Sequence, residues 1–216
     1  MDNAPPGKRT LYLIPFVANN REDTAIDALV NDYWREAVEQ VEHLAGAGAP
    51  VRHLFHEGSI TAGDEALAVL QQGNTAGYPH LRRLLDAGAR LEPTEDVETL
   101  KATLDLHRCM FVVQASEKVA DRLMHWFEET RQERYQGIAQ RVNAALRTDG
   151  AGVLVISPDH QVQFAQDIDV LYVAPPALDR LTRWLREHPV AAGGQTPAAP
   201  VADEPPAWAR EDEPGA

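Results

Sequence analysis

Two short segments each set acid/base groups at the end of an apolar run. HLFHEG (53–58) carries two imidazoles and a carboxylate, and SPDH (157–160) a hydroxyl, a carboxylate and an imidazole. A third group, Arg134, falls near the middle of the apolar stripe of a long helical pattern. A carboxylate and an imidazole in one cleft can take up and return a proton. A guanidinium can stabilise negative charge developing on an oxygen. Glu57, Arg134 and His160 are therefore the candidate catalytic residues, and hydrolysis, with His160 or Glu57 activating a water, is the natural reaction. Arg108, Arg141 and Asp159 are candidate ligand-binding residues beside them.

Each of these residues also has a plainer use. Glu57 can cap the next helix or pair an arginine, and His160 suits the end of a loop. An inward-facing helix arginine can snorkel or make one internal ion pair. Asp159 and Glu57 are the acids at hand for Arg134. His53 and His56 alternate faces on a strand and cannot chelate one ion, and the pattern is not HExxH. Ser157 lacks a G-x-S-x-G context, and Cys109, mid-helix among apolar residues, reads as a buried, inert thiol. There is no GxGxxG and no P-loop. Metal ligation by His53 or His160 with Glu57 and Asp159 is chemically feasible. No spacing demands it, so the sequence specifies neither a metal nor a cofactor.

The elements that must position these groups follow from periodicity. TLYLIPFV (10–17) reads as a strand. Ile26, Leu29, Val30, Tyr33, Ala37, Val41 and Leu44 then recur at helical spacing, up to the Gly- and Pro-bearing AGAGAP. VRHLFHEG is a second strand, parallel to the first by the length of the crossover. Two shorter helices follow, AGDEALAVLQQG and GYPHLRRLLDAGA. Thr94 reads as the N-cap of a further helix reaching about Gln114, with Glu95 and Asp96 in its first turn. Its stripe of Val97, Leu100, Leu104 and Phe111 contains Arg108, with His107 beside it. A long helix then runs from about Glu117 to Arg147, its stripe passing through Val119, Leu123, Phe127, Ile138 and Val142. VLVIS and IDVLYVA are two more strands, and Pro175-Pro176 opens a last helix with Leu178, Leu181, Trp184 and Leu185 inward.

The fold class is α/β: a small, mainly parallel sheet of about four strands covered by helices, with a long helical insert between strands two and three. In such sheets sites form at the carboxyl ends of strands, which directs attention to Asn19-Asn20, His56-Glu57-Gly58 and Asp159-His160. Residues 1–9 read as a loose N-terminus, 10–188 as a single domain, and 189–216 as a disordered, acidic, Pro/Ala-rich tail carrying one aromatic residue, Trp208.

The net charge of −13 repels phosphate backbones and disfavours nucleic acid. No apolar run approaches the ~18–20 residues of a membrane span, the N-terminus lacks a secretory h-region, and a cytoplasmic location is the expectation. The partners these features allow are a small-molecule or peptide ligand in the cleft and a protein held through the tail.

An acid after an early strand (VRHLFHEG), a long helical insert, an arginine-bearing helix (RYQGIAQRVNAAL) and a strand ending in His (GVLVISPDH) together resemble the Tiki/TraB/ChaN superfamily over about residues 50–165. The resemblance implies an α/β core and a hydrolase-type cleft at which Glu57, Arg134 and His160 converge. The chain departs from that pattern at IPFVANN, which has no His, and at Ser-Pro-Asp before His160. The other functional class is a non-catalytic, anion- or partner-binding regulatory module.

Overall fold

A computed structural model describes residues 8–17, 24–148 and 150–188. Asn19-Asn20, most of the N-terminal segment and the tail with Trp208 lie outside the described residues. Five strands form one parallel sheet: β1 (Arg9–Pro15), β2 (Val51–His56), β3 (Arg90–Glu92), β4 (Ala151–Ile156) and β5 (Ile168–Tyr172), in the order β3-β2-β4-β1-β5. Among the described residues six helices accompany them: α1 (Thr24–Gly46), α2 (Gly63–Gly73), α3 (Tyr78–Asp86), α4 (Val97–Phe111), α5 (Glu117–Ala145) and α6 (Pro176–Glu187). The α/β class and the covered parallel sheet are as expected. The fifth strand is β3, so the helical pair α4–α5 lies between β3 and β4. No helix among the described residues is long and apolar enough to cross a membrane.

Central strand AGVLVI is buried at all six positions, because helices cover both faces of a parallel sheet. Period-two alternation divides its side chains between two layers. Ala151, Val153 and Val155 join Tyr12, Ile14 and Leu54 beneath α1, α3 and α6. Leu154 and Ile156 join Leu11, Leu13 and Phe55 beneath the second half of α5, through Ile138 and Val142. Gly152 has no side chain because a Cβ there would press to 3.1 Å on Leu11 and Leu146.

On the first face, α1 buries Ile26, Val30, Tyr33, Ala37 and Val41 as its period required, and Trp34 and Val38 with them. The Tyr33 hydroxyl donates to the Pro15 carbonyl, and Trp34 Nε1 to the Val17 carbonyl at 3.2 Å. Glu36 receives the Ala177 backbone N–H and the Arg180 guanidinium, tying α6 to α1.

Arg9 is not loose. It opens β1, pairs bidentately with Asp167 at 2.8 and 2.9 Å, and donates to the Asn143 and Leu146 carbonyls at the end of α5.

The α4–α5 hairpin departs most from the sequence reading. The stripe of α4 predicts an inward face, yet no residue of α4 is buried. Its packing is against α5, where the His107 ring stacks on Phe127 at 6.2 Å. Arg108 therefore does not face the core. It is 67% exposed and pairs with Asp105 on the same helix. Cys109 is exposed as well, not buried. Asp96, not Thr94, is the N-cap: its carboxylate accepts from the Glu98 and Thr99 N–H groups. Thr94 is buried, and its hydroxyl accepts from the His56 N–H.

Candidate functional site

The carboxyl ends of three neighbouring strands, β3, β2 and β4, meet the middle of α5. Glu57 extends the β2–β4 ladder by one residue, its N–H donating to the Val155 carbonyl at 2.9 Å. Gly58 then turns the chain at φ +84°, a left-handed conformation that disfavours any side chain. Beyond β3, the Thr94 and Glu95 N–H groups both donate to the Ser59 carbonyl, at 2.7 and 3.0 Å. These bonds fix Glu95 beside Glu57.

Between the two acids lies Arg134. It donates from Nε and Nη2 to Glu95, at 2.5 and 2.6 Å, and from Nη2 to Glu57 at 2.8 Å. A bidentate fork of this kind is the strong form of the guanidinium–carboxylate pair. The Glu95 side chain is wholly buried, and those of Arg134 and Glu57 are 13% and 14% exposed. Burial alone would pull the Arg134 pKa down. Hydrogen bonds and charge from Glu95, then Glu57, outweigh it and hold the pKa above its ordinary value. Further donors reach both acids: Gly58 N–H donates to Glu95 at 2.7 Å, and the Ser157 N–H and hydroxyl donate to Glu57 at 2.6 and 2.8 Å. Each carboxylate thus accepts three hydrogen bonds, with both of its oxygens engaged. Two carboxylates and one guanidinium leave the cluster with a net negative charge, which disfavours an anionic ligand.

His160 lies in the same corner, within electrostatic reach of Glu57 and Asp159. Its Nδ1 accepts the Val162 backbone N–H at 3.2 Å, so the neutral ring carries its proton on Nε2. Burial lowers its pKa, against the opposing pull of Glu57 and Asp159. In this tautomer Nε2 donates, which is the opposite of what a water-activating base requires. Arg141 reaches Asp96 at 3.7 Å and so braces the start of α4. Arg108, out on the hairpin, is apart from the cluster. His53 pairs with Glu92 at 2.8 Å instead of facing the site. Among the described residues no three His, Cys, Asp or Glu side chains are grouped so as to hold a metal ion.

Of the two acids expected for Arg134, Glu57 and Asp159, it engages Glu57; its other partner is Glu95, expected only as a helix-dipole acid. Its one local signal was position: an acid immediately after a short strand, beside the N-cap.

A second buried polar set stands next to the first. Asn74 Oδ1 accepts the Gly77 N–H at 2.9 Å, which leaves its amide nitrogen to donate to His56 Nε2 at 3.2 Å. The His56 proton is thus on Nδ1, donated to the Glu57 carbonyl at 2.7 Å. Burial lowers the His56 pKa despite the pull of Glu57 and Glu95. A Cβ at 77 would stand 2.5 Å from Asn74 Oδ1 and would push that side chain out of place.

No family model, curated protein or solved structure matches the chain.

Proposed function

We propose that this chain is a non-catalytic, partner-binding module: an α/β body that holds out a helical arm. One observation carries the reading. The α4–α5 hairpin projects Phe111, Val112, Val113, Val119, Met124 and Trp126 into solvent, from 49% to 94% exposed, while α4 buries nothing. At side-chain areas of about 150–250 Å² for the aromatics and somewhat less for the others, their exposed fractions amount to roughly 700 Å². These residues lie on both flanks of α5 and at the hairpin tip, so the figure is their summed exposure; exposed apolar surface on this scale marks an interaction site. In this reading the Glu57–Arg134–Glu95 cluster is an anchor. It clamps α5 to three strand ends where the helix leaves the sheet.

The test is a photo-reactive amino acid at Val113 in the full chain. It should give one discrete cross-linked product under native conditions, with none from the same residue at the exposed body position Gln72. Absence of a discrete product sinks the reading.

A second reading, a hydrolase of the Tiki/TraB type, is favoured by the contact between Ser157 Oγ and Glu57 with His160 close by. It requires that Glu57→Gln and His160→Gln abolish turnover of some ester, amide or phosphoester substrate while the thermal midpoint stays near that of the parent.

A further inference from the structure

We propose that the partner of the arm is a second copy of this chain, the two α4–α5 hairpins packing into a two-fold, four-helix arrangement. This rests on the partner-binding reading and names the occupant.

Charge selects it first. Residues 97–127 hold four acids (Glu98, Asp105, Glu117, Asp121) and four bases (Lys101, Arg108, Lys118, Arg122). The arm is therefore neutral, and the whole net charge of −13 belongs to the rest of the molecule. Two copies approaching body to body meet acid against acid. Arm to arm, they bring alternating signs together, which suits a self-complementary two-fold contact. A neutral surface gives the acidic tail no electrostatic reason to settle there, and a nucleic acid none either.

Area and shape point the same way. With the part-exposed Leu104 and Met110, the summed exposed apolar area of the arm approaches the ~800 Å² that each partner contributes to a standard interface. Val119, Leu123 and Trp126 recur at four and three on α5, and they form an open apolar stripe on that helix beside Lys118, Asp121 and Arg122. An apolar stripe flanked by both charge signs is the surface that a like helix fills in a four-helix bundle. A two-helix hairpin cannot bury its own apolar residues on both sides, and a second hairpin can.

Sedimentation of the purified full chain tests this. At about 50 µM, well above the micromolar Kd at the weak end for interfaces of this area, the chain should sediment at twice the monomer mass and dissociate on dilution. Phe111→Glu with Val113→Glu should sediment as a monomer with unchanged circular dichroism, and its thermal midpoint should match that of the wild type diluted to monomer. Trp126→Glu serves as an independent second variant. A wild-type monomer at 50 µM overturns the proposal, and hydrogen exchange then separates it from the partner reading. If the arm amides of that monomer are protected equally in Phe111→Glu with Val113→Glu, only the second copy is lost. If their protection falls in that variant, the chain covers its own arm and both readings fail. A dimer that survives all the arm variants also overturns the proposal. It would place the contact elsewhere, for example at the β5 edge where Leu171 and Tyr172 are exposed.

Discussion

The two ends of α5 belong to one continuous helix of 29 residues, about 43 Å long, and they live in different solvents. Toward its C-terminus, Tyr135, Ile138 and Val142 pack on the sheet, and Arg134 is buried between two acids. Toward its N-terminus, Val119, Met124 and Trp126 are about half exposed. That end is helical with α4 packed along it and with the local pairs Arg131 to Glu128 at 2.7 Å and His125 to Glu129 at 3.2 Å. The same backbone and the same kind of apolar stripe thus serve as core at one end and as open surface at the other. What differs is whether a sheet lies beneath.

Substitutions at the two ends should separate sharply. The largest effect belongs to Arg134→Met, which strands the wholly buried Glu95 without its cation. A loss of about 3–5 kcal/mol is expected from denaturant unfolding. Adding Glu95→Gln should restore part of it, because the uncompensated charge is removed. Equal instability of the single and double variants would refute the clamp.

Next comes Ile138→Ala on the sheet side, at about 2–5 kcal/mol. The matching change on the arm, Val119→Ala, should stay within about 0.5 kcal/mol in the isolated monomer. A comparable loss at Val119 would mean that the arm is already covered.

A smaller, pH-dependent effect marks the body alone. The folded-state pKa of His56 lies below its ordinary value of 6.5 because the ring is buried. Below pH 6.5 the unfolded chain therefore binds a proton that the folded chain refuses, and stability falls as pH drops. The thermal midpoint should decline from pH 7 toward pH 5. The decline should be shallower in His56→Gln but still present, since His160 and His80 are shifted in the same direction. An unchanged slope in His56→Gln would show that the ring is not held neutral by burial.

Much of the fold could be read from the residues. The runs LYLI and VLVI, the seven-residue stripe of α1 and the Pro-Pro start of α6 all record local preferences that burial on the sheet then rewards. Strand β3 escaped notice because three residues, RLE, are too few to show a period. Glu95 escaped because nothing local separates an acid that favours a helix dipole from one that will be sealed beneath an arginine.

Arg108 and Arg134 make the division plainest. Each interrupts an apolar helical stripe, and the sequence by itself determined that much, together with the α/β class and the two strand ends carrying Glu57 and His160. A helical period reports that a helix has an apolar face. It carries no information about what will cover that face, because covering is a contact between segments far apart in the chain. Arg134 is 77 residues from Glu57, and only the packing of α5 across the ends of β2 and β4 makes its charge affordable. Arg108 lies on α4, which buries no residue, so water solvates it and its stripe stays open. The tertiary structure alone decided that one arginine became an anchor and the other part of a surface.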